Sequence, residues 1–450
     1  MEISARESSI KILSRLEESN ELIKHLLERS FSGGKQSFED RKLKTEIVNG
    51  VIRRKIELEY ILNHMVKKGL NNLPKMIRII LMIGIYQLEY LDRIPAYSAV
   101  NESVELARKY GHSGTVRLVN AVLRNYLRMH NGRTNKIPEA LDRIERIMVK
   151  YSMPLFILRK WINEFGEEKT LLILESISNA PKVSIRANTL KISREQLVRE
   201  LSEAHEGDYE PEVSILTKDG IVLKRQSGIW ESGDFRRGNF IFQDEASQFI
   251  CEVLESREGD TILDACAAPG TKTTQISQYI NNNGLIIACD SNKTRMKLIR
   301  ENCERLGVTS VHLLCCDLTN FNFRDVKFDR ILIDAPCSCS GIFRRHPELK
   351  YRITPERIKR LSDLQLGILH NVSRYLKKDG IIVYSTCSLE KEENESVIEN
   401  FLGDRESFCV ERCEWIEDRI ERGLSGVYRI FPYQYGTDGF SFTILKNKGK

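Results

Sequence analysis

Hydrophobic positions in the first third of the chain recur at helical spacing. Apolar side chains return every three or four residues, which is typical of amphipathic helices. Pro74 and Pro95 fall at breaks between these segments. We therefore predict an all-α domain over residues 1–140. Its helical segments are ESSIKILSRLEES, KTEIVNGVIRRKIELEYILNHMV, KMIRIILMIGIYQLEYL, AYSAVNESVELARKYG and GTVRLVNAVLRNYLRMH.

The pattern changes within residues 141–237. Two further amphipathic helices are predicted between Tyr151 and Asn179. From Lys182 onward, β-type and α-type segments alternate, as in VSIRANTL, SREQLVRELSEA and SILTKDGIVLKRQ. This predicts a helical connector followed by a small α+β module. Arg186 and Asn188 are polar positions inside its first strand; we expect them to contact RNA, with plain solvent exposure as the alternative.

Strands and helices alternate from Gly238 to the end of the chain. Such alternation predicts a doubly wound, mostly parallel sheet over residues 238–450. The final stretch, VYRIFPYQYGTDGFSFTILK, predicts an antiparallel hairpin. The predicted parallel strands are TILDACA, LIIACD, VHLLCCD, FDRILIDAP and GIIVYSTCS.

Charge is unevenly distributed between the predicted domains. Residues 1–140 hold 24 Lys/Arg and 16 Asp/Glu, a net charge of +8, whereas the whole chain carries +6. This excess favours a polyanionic partner such as nucleic acid, although a merely soluble helical domain would look similar. The most apolar run, Ile77 to Tyr86, is about half the length needed to cross a bilayer. Together with an N-terminus that lacks a signal-peptide core, this leads us to expect a cytoplasmic protein without a membrane partner.

All 11 cysteines lie between Cys251 and Cys413, and no CxxC pair occurs among them. Cys337-x-Cys339 does not match common zinc spacing. From the sequence we therefore expect no metal.

A glycine turn follows the first strand of the predicted parallel sheet. Small residues within Cys266–Lys272 leave the backbone accessible to a ligand. Asp290 ends the next strand, where a carboxylate can accept hydrogen bonds from ribose hydroxyls, and Asp317 ends the third. Neither GxGxxG nor GxxxxGK[ST] is present. The turn therefore suits a nucleoside cofactor without a phosphate, such as S-adenosyl-L-methionine.

The fourth and fifth predicted strands are each followed by a cysteine. Adjacent parallel strands would bring Asp334, Cys337 and Cys387 together, although 50 residues separate the two cysteines. A thiolate that adds to carbon 6 of a cytosine turns the ring into an enamine, which can take a methyl group at carbon 5. A carboxylic acid at position 334 could protonate N3, and a base must then remove the proton from carbon 5.

Two sets of motifs carry a family resemblance. DRKLKTEIVNGVIRR, IPAYSAVNESVELARKYG and VRLVNAVLRN resemble the NusB-like helical RNA-binding domain. DACAAPGTKT, DAPCSCSGIFRRHPELKY and YSTCSLEKEENESVI resemble the RNA cytosine-carbon-5 methyltransferases. Together with FQDEAS, they make nearly the whole chain similar to the bacterial 16S ribosomal RNA methyltransferases of the Sun/RsmB type.

This resemblance implies an architecture and a function. The expected fold is multidomain: an all-α NusB-like domain, a small RRM-like module and an α/β Rossmann-like methyltransferase domain. The implied reaction transfers a methyl group from S-adenosyl-L-methionine to a cytosine of 16S ribosomal RNA, free or in a partly assembled subunit. Because a single polypeptide carries its own RNA-binding domain, we expect a monomer.

The resemblance also implies site residues. The nucleophile is expected at Cys387, while Cys337 aids release of the methylated RNA and Asp334 assists the reaction. The implied cofactor positions are Cys266, Ala267, Ala268, Pro269, Gly270, Thr271, Lys272, Asp290, Asp317 and Asp334.

Two residues depart from the family pattern. Thr271 replaces the second glycine of the usual APGGKT turn; because a β-branched residue disfavours positive φ, we expect a slightly reshaped turn. Cys339 stands where a small residue is usual, and we expect it to be a bystander. Arg344, Arg345 and His346 follow on a basic loop, where phosphate contacts are favoured over a solvated turn.

Three other functions compete with this one. Cys337 could be the nucleophile, as in DNA cytosine methyltransferases. An amino-group methyltransferase would need no cysteine, but its Asn/Asp-Pro-Pro-aromatic run is absent. A non-catalytic RNA-binding or antitermination factor would account for the NusB-like half alone.

Overall fold

Two compact units make up the protein. The structure is a computed structural model that describes residues 4–31, 37–130, 141–203, 209–225, 228–423 and 425–449. One unit extends to Ser178 and also contains His346–Arg352; the other comprises Asn179–Arg345 and Ile353–Lys450. No helix in the described ranges is long and apolar enough to cross a membrane.

The first unit is helical, as predicted. Helix α5 is buried almost continuously from Ile77 to Gln87, so it forms the centre of the unit's core. Pro74 and Pro95 immediately precede α5 and α6, where a proline costs no helical hydrogen bond. The helices are α1 Ala5–Glu18, α2 Ile23–Phe31, α3 Phe38–Arg53, α4 Lys55–Met65, α5 Lys75–Tyr90, α6 Ala96–Tyr110, α7 Ser113–His130, α8 Arg143–Tyr151, α9 Leu155–Phe165 and α10 Glu167–Ser178.

One predicted helix is in fact two. The segment from Lys44 to Val66 was predicted as continuous, but it breaks at Arg54 between α3 and α4. A backbone N–H in the first turn of α4 has a partner far along the chain: the Glu57 N–H donates to Ser152 Oγ at 3.0 Å. A cap supplied 95 residues away leaves no local signal in the sequence.

A short segment from far along the chain completes the helical unit. Within His346–Arg352, Lys350 Nζ donates to the Arg53 carbonyl oxygen at 2.9 Å. The Tyr351 hydroxyl donates to the Ile52 carbonyl oxygen at 3.1 Å. Because this segment supplies donors to the carbonyls at the end of α3, it belongs structurally with the helices.

The second unit contains a small antiparallel sheet in the order β2-β3-β1-β4. Arg186 and Asn188 do not face solvent or RNA: both are fully buried, which corrects the sequence-based expectation. The Asn188 amide donates to the carbonyl oxygens of Gly238 and Leu306, both at 2.8 Å. The elements are β1 Val183–Ala187, α11 Arg194–Glu203, β2 Pro211–Val213, β3 Gly220–Leu223, α12 Gly233–Arg237 and β4 Phe240–Phe242.

A larger mixed sheet forms the rest of this unit. Its strand order is β11-β12-β13-β9-β8-β5-β6-β7, with β10 paired to β13. The strands are β5 Thr261–Ala265, β6 Leu285–Asp290, β7 Val311–Cys315, β8 Phe328–Asp334, β9 Leu376–Thr386, β10 Phe408–Val410, β11 Glu421–Arg422, β12 Tyr428–Ile430 and β13 Phe440–Asn447. The helices are α13 Glu245–Val253, α14 Thr271–Tyr279, α15 Lys293–Leu306, α16 Pro355–Ser373, α17 Glu395–Asp404, α18 Glu414–Glu417 and α19 Pro432–Tyr435.

Parallel pairing runs from β7 to β9, so five carboxyl ends meet at one edge of the sheet. Alternate residues of the strands enter cores on opposite faces: Leu263 packs with the α16 and α17 side, and Ile262 with the α13 and α14 side. Strands β12 and β13 form the predicted antiparallel pair. The predicted mostly parallel fold is confirmed, and its switch point lies where chain order reverses beside β5.

Candidate active site

The glycine turn after β5 leads directly into α14. Cys266 and Gly270 have left-handed φ values of 63° and 94°, and the Ala267 N–H donates to the Cys289 carbonyl oxygen at 2.7 Å. A Cβ on Gly270 would lie 2.9 Å from Ile299 Cγ2, so glycine allows α15 to pack closely. Thr271 is the first residue of α14 and its φ is not positive. The physical reason for the expected reshaping is therefore absent, because the left-handed position falls on Gly270 instead.

Asp290 holds the turn against the end of β6. Its carboxylate accepts hydrogen bonds from the Ala268 N–H at 3.2 Å and the Asn292 N–H at 2.8 Å. Arg295 contacts both the turn and this carboxylate. Its guanidinium donates to the Ala268 carbonyl oxygen at 2.6 Å, and its Nη1 lies 3.7 Å from Asp290 Oδ2. These contacts fix a buried carboxylate at the edge where the parallel strands end.

Asp264 is a buried carboxylate beneath the turn. Thr273 Oγ1 donates to its Oδ2 at 2.5 Å, while Oδ1 has no hydrogen-bond partner among the described residues. Burial raises the pKa of Asp264 to about 7. An unsatisfied oxygen of this kind invites a hydrogen-bond donor from a ligand.

Lys272 and Asp334 form an ion pair at the end of β8. Lys272 Nζ donates to Asp334 Oδ2 at 2.7 Å, and Ser385 Oγ donates to Asp334 Oδ1 at 3.3 Å. Burial alone would lower the pKa of Lys272, but the facing carboxylate outweighs it and the pKa lies above its ordinary value. The ammonium group therefore stays charged although the side chain is buried.

The two predicted cysteines meet, and a third thiol joins them. Cys337 Sγ lies 3.3 Å from Cys387 Sγ and 4.0 Å from Cys339 Sγ. The pairing of Asp334 with Ser385 in β8 and β9 explains the first contact, because both cysteines follow by two or three residues. The pKa of Cys387 lies well above its ordinary value because its thiol hydrogen-bonds to Cys337 and Cys339.

Glu393 connects the two cysteine-bearing loops. Its carboxylate accepts from the Ser338 N–H at 2.8 Å and from the hydroxyl groups of Ser338 and Ser388. The side chain is fully buried, and burial raises its pKa to about 7. One carboxylate thus fixes the spacing of the residues that follow Cys337 and Cys387.

Arg186 supports α14 from the small sheet. Its guanidinium donates to the Gln278 side chain at 2.8 Å, the Thr271 carbonyl oxygen at 2.7 Å and Thr274 Oγ1 at 3.0 Å. It also donates to Gln243. Burial lowers the pKa of Arg186 to about 10, but the group remains charged at neutral pH.

Asp317 lies apart from the buried carboxylates. It follows β7 by two residues and is exposed, and its Oδ1 accepts hydrogen bonds from the N–H and hydroxyl of Thr319 at 2.9 and 2.7 Å. These hydrogen bonds lower its pKa. The side chain is therefore oriented by its own turn and remains accessible.

The basic loop after Cys339 does not present free arginines, which contradicts the expectation of phosphate contacts. Arg345 donates to Asp438 at 2.6 Å and to Asp244 at 2.7 Å. Arg344 is buried and donates to the Gly436 carbonyl oxygen at 2.9 Å. These groups stabilise the loop against the β12–β13 connection.

The sequence identifies Asp264 only as a strand-end acid, does not single out Glu393, and suggests RNA or solvent as the surroundings of Arg186. Asp264 is only one of several strand-end acids in the sequence, and Glu393 is one of many glutamates in EKEENES. Arg186 was singled out, but with the wrong surroundings. The sequence did contain a signal for Arg186, because it is a charged residue between two apolar residues in a predicted strand. Such a side chain is either exposed to solvent or buried with hydrogen-bond partners.

Comparison with known proteins identifies the family. Residues 251–446 match the family described as 16S rRNA methyltransferase RsmB/F, residues 3–128 match the NusB family, and residues 153–229 match the RsmF/B-like ferredoxin-like domain. The chain is 34% identical to "Probable ribosomal RNA small subunit methyltransferase B" of Bacillus subtilis (strain 168), with 99% of each chain covered. It is 32% identical to the protein of the same name from Synechocystis sp., again with 99% of each covered.

The chain therefore belongs to the ribosomal RNA small subunit methyltransferase B family. The predicted resemblance and the three-part fold are confirmed. Among solved structures, a methyltransferase homolog from Pyrococcus horikoshii is 28% identical, with a TM-score of 0.60, and the match covers 68% of this chain and 99% of the other. NSun6 from Pyrococcus horikoshii with SFG is 25% identical, with a TM-score of 0.58 and coverage of 65% and 97%.

Proposed function

We propose that this family member transfers a methyl group from S-adenosyl-L-methionine to carbon 5 of a cytosine in 16S ribosomal RNA. The observation that carries the proposal is the 3.3 Å contact between Cys337 Sγ and Cys387 Sγ beside the Lys272–Asp334 ion pair. Methyl transfer to oxygen or to an amino group needs no such pair of thiols. Cytosine carbon 5 does need a thiol, because it is not nucleophilic until carbon 6 carries an adduct.

The residues around the turn fit the cofactor. Asp264 offers a buried, unsatisfied oxygen to a cationic amino group, and Asp290 offers a fixed carboxylate to a ribose diol. The remaining proposed positions are the turn from Cys266 to Lys272, Asp317 and Asp334. S-adenosyl-L-methionine would supply an electrophilic methyl group at this edge of the sheet. A match to a structure of NSun6 with SFG supports this assignment.

Cys387 is the proposed nucleophile. Its thiol is neutral in the resting cluster, because the hydrogen bonds that it shares with Cys337 and Cys339 raise its pKa. The partly exposed thiol must pass its proton to solvent before its sulfur bonds to carbon 6 of the cytosine. The proton that N3 needs would come from the Lys272 ammonium group and pass through the Asp334 carboxylate to which it donates, which leaves Lys272 neutral.

Cys337 is the proposed release group. Its sulfur lies in contact with Cys387 Sγ, so it can assist when the Cys387–carbon 6 bond breaks after the carbon-5 proton has left. Removing Cys337 would leave the methylated RNA attached to Cys387. Exchanging the two roles would reverse this outcome.

The RNA partner is proposed from the family and from surface charge. Arg117, Arg124 and Arg128 are exposed along one face of α7, where they can contact phosphates. The target base must leave its stack to expose carbon 6, as in other base-modifying enzymes. We propose a monomer that acts in the cytoplasm, where small subunits are assembled.

The experiment compares two substitutions on the same RNA. Cys387→Ala should reduce methylation of 16S RNA by about 10⁴-fold or more, because no adduct forms. Cys337→Ala should accumulate a covalent RNA–protein complex, visible as a shifted band that resists denaturation. A trapped complex with Cys387→Ala and none with Cys337→Ala would assign the nucleophile to Cys337 instead.

A further control addresses the substrate. Bisulfite sequencing of ribosomal RNA from a strain that lacks the gene should show the loss of one or more 5-methylcytosines in small-subunit RNA. If every methylcytosine persisted, 16S RNA would not be the substrate.

A further inference from the structure

The third thiol makes the active-site cluster more than a pair of reacting cysteines. The sulfur atoms of Cys337, Cys339 and Cys387 all lie within 4.8 Å of one another. Two of the three separations are 3.3 and 4.0 Å. We propose that these three sulfurs form a binding site for a thiophilic d¹⁰ metal ion, Zn²⁺ or Cd²⁺, which blocks the reacting thiols when it binds.

The size of the cluster fits such an ion. Zinc binds thiolates at about 2.3 Å in tetrahedral geometry, so two of its sulfur ligands lie about 3.8 Å apart. The separations of 3.3 and 4.0 Å lie on either side of this value. Small rotations of the cysteine side chains, which move each sulfur by a few tenths of an ångström, are therefore enough to bring the three sulfurs to zinc-binding distances.

The cluster can be reached and supplies three ligands. Cys337 is buried, whereas Cys339 and Cys387 are partly exposed, which gives an ion a path from solvent. The neighbouring carboxylates are engaged elsewhere: Glu393 with Ser338, and Asp334 with Lys272. The fourth tetrahedral position is left to water, as in zinc sites that remain open to exchange.

The sequence spacing gives no sign of this site. Cys337-x-Cys339 is not a common zinc motif, and the third ligand lies 50 residues after the first. Strand pairing between β8 and β9 brings Cys387 into place. Cys339 adopts a left-handed φ of 64°, and its Sγ lies 3.4 Å from the Cys337 carbonyl oxygen.

Binding is proton-coupled and involves no change of oxidation state. Three S–H bonds break, three metal–sulfur bonds form, and three protons pass to the buffer, leaving a cluster with a net charge of −1. Affinity should therefore rise with pH.

A cadmium titration tests the site in the full-length protein, kept reduced by a phosphine that carries no thiol. Sulfur-to-cadmium charge-transfer absorption should rise to one equivalent of Cd²⁺ per chain. Cys339→Ala should weaken this binding by about tenfold or more, because one of three ligands is lost. Cys315→Ala, which removes an exposed thiol outside the cluster, should titrate as the unsubstituted protein does.

Equal affinity and equal absorption for Cys339→Ala and the unsubstituted protein would overturn the proposal. Circular dichroism confirms that each variant is folded, and Cys339→Ser provides a second variant of nearly the same volume. Binding that disappears in Cys315→Ala and persists in Cys339→Ala would assign the metal to other thiols, which also overturns it.

A separate experiment measures inhibition of methylation by the metal ion, and it rests on the proposed function. Zn²⁺ should slow methylation reversibly, with recovery on addition of a chelator. Cys339→Ala, compared with its own metal-free rate, should need about tenfold more Zn²⁺. Cadmium binding that depends on Cys339 in an inactive protein would refute the methyltransferase proposal and leave the metal site intact. Methylation that is insensitive to bound metal would refute the blocking role alone.

Discussion

At the scale of single residues, Asp264 lowers the stability of the fold and is also a proposed contact for the cofactor. A buried carboxylate with one unsatisfied oxygen destabilises a fold unless a ligand completes it. Because burial raises its pKa from the ordinary value of 3.8 to about 7, the folded protein holds a proton there that the unfolded chain has lost. Its contribution to stability is therefore full below pH 4 and is lost as pH rises through 7.

Asp264→Asn should remove this dependence. At pH 8 the variant should be more stable than the unsubstituted protein by roughly 1–3 kcal/mol, and the difference should vanish near pH 4. Urea unfolding at several pH values measures it. Affinity for S-adenosyl-L-methionine should move in the opposite direction, because the amide is neutral.

Asp363→Asn is the matched control. Asp363 is an exposed carboxylate that forms an ion pair with Lys359 on the same helix, so its substitution should change stability little at any pH. A parallel pH trend in both variants would show that the buried position of Asp264 is not the cause.

Sequence reasoning predicted single residues well where strand order alone places them. Cys337, Cys387 and Asp334 follow neighbouring strands, so their meeting required only the parallel topology. The partners of Arg345 could not be predicted, since Asp244 and Asp438 are separated from it by about 100 residues in opposite directions. Long-range ion pairs have no local signature.

At the scale of elements, helix α14, which follows the proposed cofactor turn, depends on a neighbouring module. Arg186 in β1 donates to the backbone of Thr271 and to side chains one and two turns later. The small sheet thus supplies the charge that fixes the first turns of α14. This accounts for a fully buried arginine inside a strand.

Arg186→Lys should loosen α14 although charge is kept, because an ammonium group cannot reproduce the planar fork of donors. We expect a loss of roughly 2–4 kcal/mol in stability and a larger rise in KM for S-adenosyl-L-methionine than fall in kcat. Denaturant unfolding and initial rates measure the two effects.

Arg199→Lys provides the comparison within the same module, because Arg199 is exposed on α11. It should leave both stability and KM unchanged. If Arg186→Lys changed kcat and left KM and stability as they were, a role in positioning α14 would be wrong.

Helices and strands with a strong hydrophobic periodicity could be predicted from the sequence, but the residues at which they begin and end could not always be predicted. The five parallel strands and helices α15 and α16 follow directly from the hydrophobic pattern. The break between α3 and α4 did not, because Ser152 caps α4 from another part of the chain. Boundaries fixed by tertiary contacts leave no trace in a local window.

At the scale of the whole molecule, chain order and structural units do not coincide. His346–Arg352 lies in the sequence between two parts of the methyltransferase fold, yet it packs with the helical unit. Tyr351 packs against the core of that unit and its ring lies 5.4 Å from Lys55 Nζ. The helical unit is thus incomplete without a piece of the catalytic part of the sequence.

Tyr351→Ala should therefore destabilise the helical unit by roughly 2–4 kcal/mol, through lost packing and the loss of the hydrogen bond that its hydroxyl donates to the Ile52 carbonyl oxygen. Tyr351→Phe should cost about 1 kcal/mol, because only the hydroxyl is removed. Hydrogen exchange followed by mass spectrometry locates the effect: α3 and α4 should lose protection.

Tyr97→Ala is the control, since this tyrosine is 74% exposed on α6. It should leave exchange in α3 unchanged. Loss of protection confined to residues 261–334 in Tyr351→Ala would contradict the assignment of this segment to the helical unit.

Glu393 has a consequence for how such a site can change over generations. Because its carboxylate binds Ser338 and Ser388 together, replacing Glu393 alone would remove a hydrogen-bond acceptor from both serines, including the partner of the buried Ser338 N–H. Drift at these positions must then proceed by compensating steps rather than one at a time. The loops that carry Cys337 and Cys387 are thus coupled through one carboxylate, although the two cysteines are 50 positions apart in the chain.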